Sequence, residues 1–406
     1  MSEVPAPASP GALDGIRVID MTSVLFGAYT SQILGDLGAD VVKVESPGSK
    51  PGQGGDIFRY TGKPAKTPGM GPIFQHFNRN KRSVLIDLTT AGGKESLAKL
   101  LSTADVFITN VRMAGLARLG FDYDAVRALK PDIVYVHCAG FGSDGPYANL
   151  QAYDDLIQAA SGAADLLSRV DGNPAPRYQP TLVADKSSGL YGAYATLAAL
   201  FHHERTKQGQ FVEVPMFECF TYFNMTENLY GHTFVPPTGS YGYSRVFNRN
   251  RKPYRTMDGY LAILPYSDAQ WDDFFEIGGM LPGTFTRNPR YATYAMRTEN
   301  IAEIYAMIEE VAATRTTDDW VRLLSERNVP CMKVRQLDEV MDDPHLMQTN
   351  FFQRRQHPSE GEYIALRHPV RFSETPASIR RDAPRLGEHT AEILDEIARA
   401  APEHAK

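Results

Sequence analysis

The feature that most constrains this chain is the alternation, through its first 140 residues, of short β-branched runs with amphipathic helical stretches. That pattern belongs to a parallel sheet covered by helices. Ile16–Met21 reads as the first strand, a helical stretch from Tyr29 to Leu37 stops at Gly38, and Asp40–Glu45 is a second strand ended by Pro47-Gly48. Together they make a βαβ unit of about 30 residues. A Gly/Pro/Lys-rich loop runs from Pro47 to Gly71. Beyond it the pattern predicts a strand at Ser83–Asp87, a helix at Gly93–Ser102, a strand at Val106–Thr109, helices around Leu116 and over Tyr123–Leu129, and a strand at Ile133–Cys138. The expected fold class is α/β, with a doubly wound first domain.

From Tyr153 to Arg205 the pattern turns helical and rich in Ala and Gly, and the run Ser187–Ala195 is small enough to let a helix pack closely, with the sheet as its expected neighbour. Phe217–Phe247 is aromatic and Asn-rich, as in a crossing segment. The alternation of Pro253–Leu264, broken at Met257-Asp258-Gly259, is a hairpin signal that opens a smaller α+β domain. Helices around Trp271–Ile277, Asn300–Ala313 and Thr317–Glu326 complete it. A strand-like Tyr363–Leu366 and a polar C-terminal helix follow.

Composition narrows the function classes. A formal charge of −6 over 406 residues offers nucleic acid no basic footprint. Met1–Gly11 has no basic residue ahead of an apolar run, and no stretch approaches about 18 consecutive apolar residues, so neither secretion nor membrane insertion is expected. Cys138, Cys219 and Cys331 have neither metal nor disulfide spacing, which fits packing roles in a reduced, cytoplasmic protein.

Motifs with a chemical meaning are few. Gly140-Phe141-Gly142-Ser143-Asp144-Gly145 matches G-x-G-x-x-G after a strand, but Pro146 follows and no helix opens, so it reads as a structural loop. His202-His203, near a helix end, reads as a helix-terminal charge pair rather than a metal site. Asp185 is the informative residue: a carboxylate after an apolar segment and directly before a small-residue helix. It can be a plain N-cap or a reactive carboxylate, and the residues alone leave both open. Asn78-Arg79-Asn80-Lys81-Arg82, Asn110-Val111-Arg112 and Arg118 could hold an anionic ligand.

In order along the chain, Leu13–Asp20, Asp36–Glu45, Asn78–Ser83, Ala104–Val106, Gly140-Phe141-Gly142 with Gly145-Pro146-Tyr147, Asp185–Gly189, Thr206–Gln210 and Tyr254–Gly259 resemble the class III CoA-transferases. This family includes formyl-CoA transferase and crotonobetainyl-CoA:carnitine CoA-transferase and is related to the α-methylacyl-CoA racemases. The resemblance implies an interlocked homodimer, each chain with a Rossmann-like large domain (1–223), a small α+β domain (224–327) and a C-terminal segment (328–406) returning to the large domain. It implies that CoA and acyl-CoA are substrates beside a free carboxylic acid, with no permanently bound cofactor, metal, nucleic acid or membrane partner. Asp185 becomes the nucleophile, forming a mixed anhydride and then an aspartyl-CoA thioester. The amides around Ser187–Gly189 become candidate oxyanion donors.

The resemblance also places CoA contacts at Val24, Leu25 and Phe26, at Ile86, Asp87, Leu88 and Thr89, at Asn110, Val111, Arg112 and Arg118, and at Tyr153. Two positions depart from family members: Leu25 replaces a polar Gln of formyl-CoA transferase, and Ser46 stands where some members carry a basic residue. The racemases resemble Tyr153-Asp154 but carry His in place of Tyr, because moving a proton between two faces of a carbon needs two bases. Tyr, with an ordinary pKa near 10, favours the transferase. Thr238–Tyr243 lacks the Gly-run plus Gln of formyl-CoA transferase, which disfavours oxalate. Arg245, Arg249, Arg251 and Arg255 suit the distal carboxylate of a C4 or C5 dicarboxylate. A racemase, or a CoA-binding homologue without catalysis, is the alternative.

Overall fold

The computed structural model describes residues 10–48, 50 and 53–400; most of Met1–Gly11 and three residues of the Pro47–Gly71 loop lie outside the described residues. Contacts divide the chain into two units, one made of residues 1–163, 178–223 and 345–406, the other of 164–177 and 224–344.

The first unit is built on a six-stranded, all-parallel sheet in the order β3-β2-β1-β4-β5-β6. Its strands are β1 (Arg17–Met21), β2 (Asp40–Glu45), β3 (Lys81–Leu85), β4 (Val106–Thr109), β5 (Val134–Ala139) and β6 (Gln210–Pro215). Helices α1 (Phe26–Asp36), α2 (Pro72–Phe77), α3 (Ala91–Ser102), α4 (Met113–Leu119), α5 (Tyr123–Leu129), α6 (Asp154–Ala160), α8 (Val183–Thr206) and α9 (Met216–Asn228) accompany it, with α7 (Ser168–Asp171) in the second unit. Two buried clusters lie on the sheet, one with Val18, Leu34, Val106, Val136 and Phe220, the other with Ile19, Val42, Leu97, Phe107 and Ile393. The strands are apolar along their length because both faces are covered.

Several boundaries differ from the sequence reading. The third strand starts two residues before Ser83 and ends before Asp87. Lys81 and Arg82 register against Val41 and Val42, and Asp87 turns to accept the amide and hydroxyl of Thr89. The edge strand β6 went unread: only part of it alternates and Pro215 ends it. The small-residue run of α8 packs chiefly on α1. A Cβ on Gly192 would come within 2.4 Å of Thr30 Oγ1, and Thr30 donates to Gly189 O at 3.1 Å.

Charged side chains lie inside this unit. Lys81 pairs with Asp20 at 3.0 Å, Lys43 with Asp56 at 3.1 Å and Arg59 with Glu45 at 2.6 Å, all buried. Burial would raise the Asp20 carboxyl, but Lys81, Lys43 and the hydroxyls of Ser31 and Thr22 hold it well below the carboxylate range. Burial brings Lys81 down to about 8 despite Asp20. Such a network depends on complete pairing, since a lone buried charge is strongly destabilising.

In the second unit, β7 (Tyr254–Arg255) and β8 (Tyr260–Ile263) form the expected hairpin, and β9 (Cys331–Lys333) pairs on β8. That pairing carries the unit past Arg327 to Pro344. Helices α10 (Asp268–Ile277), α11 (Thr284–Arg287), α12 (Tyr294–Glu299), α13 (Ile301–Ala312) and α14 (Thr317–Glu326) enclose Trp271, Phe274, Phe275, Ile308 and Trp320. After α15 (Pro344–Gln348), the hairpin β10 (Phe352–His357) and β11 (Gly361–Leu366) and helix α16 (Thr390–Ala400) belong to the first unit. The C-terminal helix, polar by composition, buries Ile393 and Ile397 beside α3 and β3.

Candidate active site

The strand order reverses between β1 and β4: β2 and β3 lie on one side of β1, β4 to β6 on the other. Loops leaving neighbouring strands at such a point diverge and open a crevice at the carboxyl ends, where open α/β sheets bind ligands. A cavity of about 260 Å³ occupies that place, lined by Ser23, Val24 and Phe26 after β1, Asn110 and Arg112 after β4, Cys138 to Gly140 at the end of β5, Leu150 to Tyr153, Asp185 and Met216.

Asp185 is not an N-cap. Helix α8 begins at Val183 with Leu182 as its cap residue and no side-chain capping bond, so Asp185 is the third helical residue. Asp154, the first residue of α6, supplies the missing acceptor: its Oδ1 takes the Asp185 N–H at 2.9 Å. Its Oδ2 accepts from Gln158 Nε2 at 2.6 Å, and Gln158 Oε1 accepts the Gln179 N–H at 2.8 Å. One i,i+4 pair on α6 thus fixes the start of α8.

The Asp185 side chain, 6% exposed, lines the cavity beside Phe26 at the β1 loop, close enough for the Phe26 N–H to favour its charged form. Burial, reinforced by the negative charge of Asp154 and only partly offset by Phe26, pushes its carboxyl up to about 7. A carboxylate perturbed this far, in a cleft with a specific charge partner, is a candidate functional group. The amides of Ser187 to Gly189, expected as oxyanion donors, lie in the second turn of α8, where helical geometry commits them to carbonyls four residues back. The backbone N–H that favours the charged carboxyl is that of Phe26 instead.

Of the residues implied by resemblance, Val24, Phe26, Asn110, Arg112, Tyr153 and Asp185 meet around this cavity. Tyr153 is 58% exposed and Arg112 is exposed, so ring and guanidinium are open to a ligand. Asn110 is bound to the backbone of Ser23 through both ends of its amide, at 3.1 and 2.8 Å. Leu25, at 1% exposed, points into the core. Ile86 and Leu88 pack in the second cluster, Asp87 and Thr89 bond one another at the β3–α3 turn, and Arg118 is exposed in the last turn of α4. Val111 packs beside them, with its carbonyl 3.1 Å from His137 Nε2. None of these seven lines the cavity.

Sequence reasoning named Asp154 only beside Tyr153, without its contact to α8, and passed over Gln158 and the Phe26 amide. The i,i+4 spacing of Asp154 and Gln158 was visible but carried no chemistry until their contact with α8 was known, and a backbone donor leaves no mark in a side-chain pattern. Gly140–Gly145 forms turns with no helix, as expected, and His203 meets Asp132 at 3.3 Å. Among the described residues there is no cluster of three or more metal-ligating side chains and no helix long and apolar enough to cross a membrane.

The sequence pattern of CoA-transferase family III matches residues 13–390. The chain is 32% identical to a succinate–glutarate CoA-transferase of Agrobacterium fabrum over 98% of both proteins. It is 29% identical to a formyl-CoA:oxalate CoA-transferase of a Bradyrhizobium species over 95% of this chain and 93% of that one. Its fold matches a CaiB/BaiF family protein of Brucella suis with a TM-score of 0.78 and 30% identity, covering 96% of this chain and 100% of the other. A hypothetical protein of Mycobacterium tuberculosis matches with a TM-score of 0.80 and 28% identity, covering 95% and 99%.

Proposed function

The chain belongs to CoA-transferase family III and is a CoA-transferase, and from that premise we propose that it moves CoA from an acyl-CoA to a free carboxylic acid through a covalent intermediate on Asp185. The observation that carries this reading is the Asp185 carboxyl itself, buried in the crevice at the carboxyl ends of the strands beside Phe26.

The chemistry follows from that placement. An Asp185 oxygen attacks the thioester carbonyl, a C–O bond forms, the C–S bond breaks, and CoA leaves as thiolate from a mixed anhydride. The thiolate then attacks the aspartyl carbonyl carbon, releasing the donor acid as carboxylate and leaving aspartyl-CoA. An acceptor carboxylate repeats the two steps in reverse order of partners, regenerating Asp185 with no net proton change. During each attack on the aspartyl carbon, negative charge develops on an Asp185 oxygen, where the Phe26 amide can stabilise it. Burial serves the reaction too, because anhydride and thioester both hydrolyse.

In this reading Val24, Phe26, Asn110, Arg112 and Tyr153 surround the thioester and pantetheine end, while the Ile86–Thr89 turn, Val111 and Arg118 hold the adenosine and phosphate end outside the cavity. The working molecule is an interlocked homodimer acting in the cytoplasm. A C4 or C5 dicarboxylate is the favoured acid, supported by the succinate and glutarate in the name of one relative. Arg249, Arg251 and Arg255 are exposed and free to meet a distal carboxylate, whereas Arg245 donates to the Tyr294 hydroxyl at 2.9 Å.

Hydroxylamine should trap wild-type protein at Asp185 only in the presence of an acyl-CoA, and Asp185→Ala should abolish exchange while still binding CoA. Turnover by the alanine variant would sink the covalent reading. Matched mono- and dicarboxylic acceptors test the acid class separately: better use of monocarboxylates, unaffected by replacing each arginine with Gln, would reject the dicarboxylate.

A further inference from the structure

The turn between β1 and α1 is held one residue at a time by different parts of the first unit. Thr22 donates its N–H and hydroxyl to Asp20 Oδ1 at 2.9 and 2.6 Å, and its carbonyl accepts Lys43 Nζ at 2.9 Å. Ser23 is held by Asn110 through its N–H and its carbonyl. Val24 donates its N–H to Asp56 Oδ1 at 3.1 Å. Asp56 is 2% exposed, pairs through Oδ2 with the buried Lys43 and donates its own N–H to Glu45 Oε1 at 3.0 Å.

What this clamp enforces is unusual: Val24 has φ +69°, a left-handed conformation that β-branched residues rarely adopt. Two residues later the chain enters α1, and Phe26, whose N–H is the first amide of that helix, lines the same cavity as Val24 and Asp185, with that N–H favouring the charged carboxylate. Strain of this kind persists only where the surroundings over-determine it, and it clusters where a backbone group must be aimed.

We propose that Asp56, backed by Lys43, is a positioning residue of the transfer reaction: by holding Val24 in its left-handed conformation it aims the Phe26 N–H at the reacting carboxyl of Asp185. Asp56 does not line the cavity and touches no reacting atom. This inference rests on Asp185 being the nucleophile and adds to that reading what keeps its donor in place. Because the donor matters most when charge builds on the Asp185 oxygen, a slack turn should lower kcat far more than it raises KM.

The test compares Asp56→Ala/Lys43→Met, which deletes the acceptor without stranding a buried cation, with Asp56→Asn/Lys43→Met, which keeps an acceptor for Val24. The alanine pair should lose about 10- to 100-fold in kcat with KM for acyl-CoA changed less than about threefold, and the asparagine pair should recover most of that loss. The pH profile gives a readout that a merely structural role would leave alone. The titratable and charged groups around Asp185 are Asp154 at the α6 start and, in the cavity lining, Tyr153, Arg112 and Cys138. All stay in both variants, so loss of the Phe26 donor should move the ascending limb to higher pH in the alanine pair only. Should that protein not fold, Asp56→Ser/Lys43→Gln, with a side chain too short to reach Val24 and no buried charge, carries the same expectations. Equal kcat and pH profiles in a folded acceptor-less pair and the asparagine pair would overturn the proposal. Acylation of wild-type Asp185, measured alongside, separates that outcome from a failure of the nucleophile assignment.

Discussion

Asp154 Oδ1 accepts the backbone N–H of Asp185 at 2.9 Å, so one carboxylate orders the start of the helix that carries the other. The same contact sets two negative groups near each other in a buried place, which helps raise the Asp185 carboxyl. Structure and reactivity are therefore linked through a single residue of α6.

The first consequence concerns pH. On the proposed route Asp185 attacks as a carboxylate, and with its carboxyl pushed up to about 7 it is largely protonated at pH 6 and ionised at pH 8. With non-titrating substrates, kcat/KM should rise across this interval and level off above it. A profile already flat from pH 5 would contradict the assignment.

Replacing the like charge should move that limb. Asp154→Asn keeps an acceptor for the Asp185 N–H but removes the charge, so the limb should shift to lower pH with the fold intact. Asp154→Ala removes both, and should also destabilise the protein by about 1–2 kcal/mol, measured by denaturant titration.

Stability carries the opposite sign to activity. Between the unfolded carboxyl value near 3.8 and the folded value of about 7, the native state binds more protons than the unfolded one, so stability falls as pH rises. Asp185→Asn lacks this burden. Its advantage in unfolding free energy over wild type should grow from pH 4 to pH 8, approaching at most about 4 kcal/mol. An advantage that shrinks with pH would refute the burial argument.

The α1–α8 contact gives a packing test. Gly192→Ala would place a methyl 2.4 Å from Thr30 Oγ1, within backbone-close packing that leaves little room to move. A loss of about 1–3 kcal/mol is expected, against a helix-propensity gain of up to about 1 kcal/mol. Thr30→Ala in the same chain should restore most of the stability seen in thermal melts, since it removes the atoms that clash.

How much of this was legible in the sequence follows from what each part depends on. β2, β4 and the helix Tyr123–Leu129 were readable because their periodicity and stop signals are local. Asp185 stands out by type and setting, but the residues alone leave its capping role open, because the acceptor for its N–H, Asp154, comes from another helix. Lys81 and Arg82 read as basic residues able to hold an anionic ligand; they are strand residues whose charges are neutralised by Asp20 and Asp40, partners distant in sequence. Leu25, Ile86 and Leu88 matched a ligand-binding pattern by position, yet their side chains pack in the protein and only the neighbouring backbone remains available. The left-handed Val24 had no sequence signal, because nothing about a valine announces a positive φ.

The most direct measurement of the central claim follows oxygen. When an acceptor acid labelled with oxygen-18 in its carboxylate is turned over, one of its oxygens attacks the aspartyl-CoA carbonyl and remains on the protein after the thiolate departs with the acceptor acyl group. Mass spectrometry of the peptide containing Asp185 should show one heavy oxygen after a single cycle, and none when either substrate is omitted. Full conversion to labelled acyl-CoA with an unlabelled Asp185 would mean that the carboxyl never entered the reaction, and the covalent account would be wrong.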